Sequence, residues 1–156
     1  MSNYASFSLT QDYPHSVERI WRAWTEPEEM AQWFWGSMTN NPEATCELCP
    51  NGHWRVSIDY AGDKDWPAGR IGMLGFYVTI QPNQELIYTI HWDANVFYNL
   101  SKTDCPDELI RVRFEDIEGQ CRIHYKHSGF PDDTHAIKGH RDGTLDVLRR
   151  LGTHLN

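Results

Sequence analysis

From Ala44 to Ser128 the apolar side chains return at every second position, and this period does most to limit what the chain can fold into. Repeated over so many residues, it demands a sheet with one buried and one solvated face. The segments read as strands are Ala44 to Cys49, His53 to Tyr60, Ile71 to Gln81, Glu85 to Asp93, Glu108 to Asp116 and Gln120 to Ser128. Turn residues separate several of them: Pro50-Asn51-Gly52, Pro82-Asn83 and Glu118-Gly119. Gly62 to Gly69 reads as a polar loop and Asn95 to Pro106 as a long one. The expected inward phases are Trp54, Val56 and Ile58; Leu74, Phe76, Val78 and Ile80; Leu86, Tyr88, Ile90 and Trp92; Ile110, Val112 and Phe114; Cys121, Ile123 and Tyr125.

Ahead of this block, Tyr4 to Tyr13 alternates as a further strand, after which the period changes. Val17, Ile20, Trp21 and Trp24 recur at helical spacing behind a possible Ser16 cap, with Arg19 where a capping-box glutamate would stand. Pro27 opens a second short helix with Met30, Trp33 and Phe34 as its stripe, ended by Gly36. At the other end Asp132, Asp133 or Thr134 can cap a long helix with the stripe Ile137, His140, Thr144, Leu148, Leu151 and Leu155. Gly143 interrupts it at a propensity cost of about 1 kcal/mol, which suggests close backbone approach or reserved space. The order is strand, two short helices, antiparallel strands, long helix. It predicts an α+β fold, one domain over residues 1–156, with the last helix covering the apolar face of the sheet.

The charge balance is 14 basic against 22 acidic side chains, net −8, with no basic run. That composition argues against nucleic acid and anionic membrane as partners. No apolar stretch is long enough to span a bilayer and the first residues lack a leader pattern, so the expected location is cytoplasmic. Cys46, Cys49, Cys105 and Cys121 are then expected as reduced thiols. Cys46 and Cys49 make at most half a zinc site, and His124 and His127 lie on opposite strand faces, so neither pair predicts a metal. No cofactor motif is present.

The segment Ser16-Val17-Glu18-Arg19-Ile20-Trp21-Arg22-Ala23-Trp24-Thr25-Glu26-Pro27 resembles the opening helix of START-like helix-grip (SRPBCC) proteins, in the branch related to the activator of heat shock protein 90 ATPase. Trp33-Phe34-Trp35-Gly36, Gly52-His53-Trp54-Arg55, Pro82 with Tyr88-Thr89, and Lys126-His127-Ser128-Gly129-Phe130 continue the likeness in order. In the closing helix His140, Gly143, Leu148, Leu151 and Leu155 match, with Thr144 where tryptophan is usual. The resemblance implies a curved antiparallel sheet gripping the long carboxy-terminal helix, with a cavity between them where relatives hold ligands. Loss of the ring at Thr144 implies a wider or more polar cavity there.

The chain's 13% aromatic content fits either a lined cavity or a thick core. As a cavity, its expected lining is Trp54, Phe76, Tyr88, Trp92, Phe114 and Tyr125, with His127 and Thr144 beside the two tyrosines as polar groups. An empty volume of roughly 300 Å³ or more separates the two readings. Binding of a small hydrophobic molecule is the leading function. The rivals are a cyclase- or dehydratase-type enzyme, with His127 as the weak catalytic candidate, and a co-chaperone or stress module acting through its surface. The rings of Trp21, Trp24, Trp33, Phe34 and Trp35 are too crowded for all to be buried. One or two are expected on the surface, where they would favour a homodimer or a chaperone partner.

Overall fold

The computed structural model describes residues 4–64, 67–93 and 107–156. Seven strands form one antiparallel sheet in the order β1-β7-β6-β5-β4-β3-β2. They are β1 (Tyr4–Tyr13), β2 (Glu43–Cys46), β3 (His53–Tyr60), β4 (Gly69–Gln81), β5 (Glu85–Asp93), β6 (Glu108–Ile117) and β7 (Gln120–Pro131). From β2 to β7 each strand pairs with its successor, and only β1 reaches across the chain, to β7. Because β1 and β2 occupy opposite edges, the helices between them, α1 (Val17–Thr25) and α2 (Pro27–Trp33), carry the chain across the sheet. The last helix, α3 (Thr134–Leu155), completes the helix-grip arrangement by lying against β1, β7 and α2. The long loop expected over Asn95 to Pro106, with the thiol of Cys105, lies outside the described residues.

Local chemistry sets the element ends. The Ser16 hydroxyl accepts from Arg19 N at 3.2 Å and caps α1 without help from a glutamate. Of the possible caps for α3, Asp133 is the one used, accepting from Ala136 N at 2.8 Å. Asn51, Asn83 and Glu118 all take positive φ in the three predicted turns, with Gly119 at +87° beside Glu118. Strand β2 is shorter than its sequence pattern, leaving Cys49 exposed in the turn, while Cys46 Sγ lies 3.0 Å from the Tyr77 hydroxyl.

Two departures from simple alternation matter for the interior. In β4 the inward residues are Ile71, Met73, Gly75 and Tyr77, so the predicted phase is inverted, and Phe76 is 41% exposed against His53. The reason is Gly75, which sits opposite Trp54. A β-carbon there would lie 1.9 Å from the Thr89 carbonyl oxygen, the same atom that accepts the Trp54 indole N–H at 3.1 Å. A bulge at Val78 then brings Ile80 back toward the core. In β7 Gly129, at φ +98°, is the extra residue of a second bulge: Ser6 pairs with Ser128 and Ala5 with Phe130. It places both His127 and Phe130 on the inner face.

The crowded tryptophans are also a correction. Trp21, Trp24, Trp33, Phe34 and Trp35 are all buried, so the exposed rings expected to favour a dimer or a partner are absent from this region. Each of three indoles finds an acceptor: Trp24 the Tyr88 hydroxyl at 3.0 Å, Trp33 the Ala23 carbonyl at 2.9 Å, Trp35 the Val56 carbonyl at 2.9 Å. Polar clasps fix α3 against the short helices. Asp146 accepts from Ser37 N and Oγ at 2.9 and 3.0 Å, Arg150 Nε donates to the Gln32 carbonyl, and His154 meets Glu29 at 3.0 Å.

Candidate functional site

Between the sheet and α3 lies a cavity of about 480 Å³. Its wall is assembled from three sources: rings of α1, α2 and the turn after it, such as Trp24, Trp33 and Trp35; inward residues of β4, β5 and β7; and one face of α3. Of the side chains expected from sequence, Tyr88, Trp92, Tyr125, His127 and Thr144 line it. Trp54 and Phe114 are inward but packed behind the wall, Trp54 against Phe34 and Tyr88, Phe114 against Trp21 and Trp24. Phe76 is on the opposite face for the reason given above.

The helix contributes its least bulky surface. Gly139 and Gly143 both border the cavity, and a β-carbon at either would meet nothing within 4 Å among the described residues. The glycines are spaced one turn apart, so they leave a continuous shallow stripe. Thr144, beside them, is buried and lines the cavity with Tyr125. Burial holds the phenols of Tyr88 and Tyr125 well above their ordinary titration range, so both remain neutral donors and acceptors.

One end of the cavity is ionisable. Glu108 is only 8% exposed, and its Oε1 lies 2.6 Å from His127 Nε2 and 3.0 Å from His140 Nε2. Its Oε2 accepts the Trp92 indole N–H at 2.5 Å. Burial alone would raise the Glu108 pKa, but the two imidazoles outweigh it and bring the carboxyl down to about 2. The Nδ1 of His140 lies 2.8 Å from the Ala136 carbonyl, which can only accept, so that nitrogen carries a proton and Nε2 is turned to Glu108. Burial disfavours charge on His140, yet the facing carboxylate prevails and its pKa rises. Phe130 stacks on this ring at 4.5 Å and 16°. His127 is 3% exposed, and its Nδ1 has no hydrogen-bond partner among the described residues.

The local structure that delivers these groups is simple. Glu108 occupies the same phase as Ile110, Val112 and Phe114, so the alternation of β6 carries it inside. It pairs with Ile90, while His127 pairs with Ile110, which makes Glu108 and His127 diagonal neighbours across β6 and β7. The Gly129 bulge packs beside Glu108: an added β-carbon would come within 3.3 Å of its Cα. His140 is the one histidine in the helix stripe. Sequence reasoning had Trp92, His127 and His140 on inward phases and missed Glu108. Extending the β6 alternation two residues back would have found it.

A sequence profile described as activator of Hsp90 ATPase homolog 1-like protein matches residues 14–156. The chain belongs to that family. No curated protein matches it significantly in sequence. Solved structures share the family architecture. A protein from Chromobacterium violaceum superposes with a TM-score of 0.75 at 16% identity, covering 99% of this chain and 98% of its own. A putative uncharacterized protein from Rhizobium leguminosarum gives 0.73 at 23%, covering 97% and 94%. An Arthrobacter aurescens protein solved by NMR gives 0.76 at 16%, covering 96% and 85%. At these identities the likeness extends to the helix-grip fold alone. In this family member no helix among the described residues is long and apolar enough to cross a membrane.

Proposed function

We propose that this protein binds a small, largely apolar molecule in the space between its sheet and α3, with the Glu108, His127 and His140 end orienting a polar group of that ligand. The observation that carries the reading is the volume. A cavity of about 480 Å³ walled by aromatic rings exceeds the roughly 300 Å³ at which ligand pockets begin. Rigid rings lose little entropy on contact with a guest, and a few buried polar groups give it direction. The small residues at Gly139 and Gly143 widen the space on the helix side.

The tryptophans lining the cavity provide the assay. Addition of the fluorescent apolar probe 1-anilinonaphthalene-8-sulfonate should quench emission of Trp24, Trp33, Trp35 and Trp92 through energy transfer, with saturation at one site. Gly143→Leu, whose side chain has open space to enter, should weaken probe binding at least tenfold while the circular dichroism spectrum is unchanged. Equal binding by a correctly folded Gly143→Leu protein would refute the cavity as the site. Native mass spectrometry of the protein purified from cells then identifies the physiological guest by mass.

A further inference from the structure

The geometry points to a divalent transition-metal site formed by Glu108, His127 and His140. One ligand atom from each of the three residues can be chosen so that all lie within 4.8 Å of one another. Two imidazoles and one carboxylate form a donor set suited to first-row ions such as Zn²⁺, Co²⁺ or Fe²⁺; Mg²⁺ and Ca²⁺ prefer oxygen throughout.

The surroundings support the three ligands. Metal-bound histidines generally donate their remaining N–H to a carbonyl or carboxylate, which fixes the ring and directs the other nitrogen at the ion. His140 has this arrangement already: Nδ1 is held by the Ala136 carbonyl at 2.8 Å and Nε2 faces Glu108 at 3.0 Å. Glu108 is likewise held by its outer oxygen, Oε2, through the Trp92 indole, leaving Oε1 toward the histidines. His127 turns Nε2 to the same Glu108 oxygen at 2.6 Å, and its ring is almost wholly buried and lines the cavity.

Ion dimensions suit the space. With metal–ligand distances of about 2.0–2.2 Å, neighbouring ligand atoms in a tetrahedral site stand roughly 3.3 Å apart. The Glu108 oxygen is 2.6 and 3.0 Å from the two Nε2 atoms, so side-chain rotations that widen these separations by roughly 0.7 and 0.3 Å admit the ion between them. Three protein ligands leave a fourth position for water or for a donor atom of a guest, the pattern of open metal sites. His127 and His140 both border the cavity. The site stands on its own ligands, and an ion can occupy it whether or not an apolar guest enters.

The test is a Co²⁺ titration of chelator-treated, tag-free protein, read by visible absorption and by calorimetry. One equivalent should bind at micromolar concentration, with the intense d–d bands of low coordination, and Zn²⁺ should displace it while excess Mg²⁺ does not. His140→Ala and Glu108→Gln should each weaken binding at least roughly tenfold. His135→Ala, an exposed neighbour on the cavity rim, and His124→Ala, on the outer face, should leave it unchanged. Absence of saturable Co²⁺ binding by the unmodified protein overturns the assignment. So does a stoichiometric signal that survives in either Glu108→Gln or His140→Ala, since the ion would then sit elsewhere. Circular dichroism of each metal-free variant establishes that the fold is retained, and the unmodified protein decides alone if one is not.

Discussion

Glu108 has the largest consequences of any single side chain in the molecule. It is a buried carboxylate on which three donors converge, from β5, β7 and α3. Replacing one member of such a buried network leaves the others uncompensated, which costs far more than an exposed pair is worth. Glu108→Ala should therefore lower unfolding free energy by about 3 kcal/mol in urea titrations followed by tryptophan fluorescence. A loss below about 1 kcal/mol, the range of an exposed pair, would mean the three donors find water instead. The residue was concealed in the sequence by its own charge. A glutamate at the start of an alternating strand reads as a solvated end, although its position two residues before Ile110 places it inside. Phe76 misled in the opposite sense, because an aromatic ring suggests the interior and the close approach of Gly75 to Thr89 reverses the strand's phase.

Among the elements, α3 departs furthest from its local optimum. Gly139 and Gly143 weaken a 22-residue helix at positions where larger residues would fit without collision. Gly143→Ala should therefore stabilise the protein by about 1 kcal/mol, from helix propensity. In a domain of this size that is a rise in melting temperature of roughly 3 °C by differential scanning calorimetry. A destabilised variant would show that the backbone there is held by something other than open space. The existence and order of the strands, the two short helices and the long one were legible because hydrophobic period and turn chemistry are local properties, whereas ends such as that of β2, which stops at Cys46, were not. The bulges at Val78 and Gly129 were not, since each answers to a neighbour distant in sequence: Ile87 and Tyr88 for the first, Ala5 and Ser6 for the second. The burial of every α1 and α2 tryptophan was hidden for the same reason. Indole acceptors such as the Val56 carbonyl become visible only once the helices are laid over the sheet.

At the scale of the whole molecule, several carboxylates outside the cavity tie distant segments together. Arg122 holds the Asp12 carboxyl below its ordinary 3.8, and Asn41 with Arg70 does the same for Asp59. Burial would raise Glu29, but His154 and Arg19 draw it below 4.5. A depressed folded-state pKa adds stability that is fully present above the unfolded value and fades as pH falls through the folded one. Melting temperature should thus be flat with respect to these groups above about pH 5 and fall progressively below about pH 4, and added salt should reduce the slope contributed by the exposed Asp12 and Asp59. A melting temperature that rises on acidification would contradict the depressed carboxylates. The sheet order carries a consequence for synthesis. Its first strand joins only the last, so Asp12 meets Arg122 across 110 residues of chain. A ribosome thus releases this segment long before its mate exists, and all the other hairpins can zip up while it waits. The sheet gains that edge only once the seventh strand has been made, and until then an early-made ribbon is free to pair with a neighbouring copy.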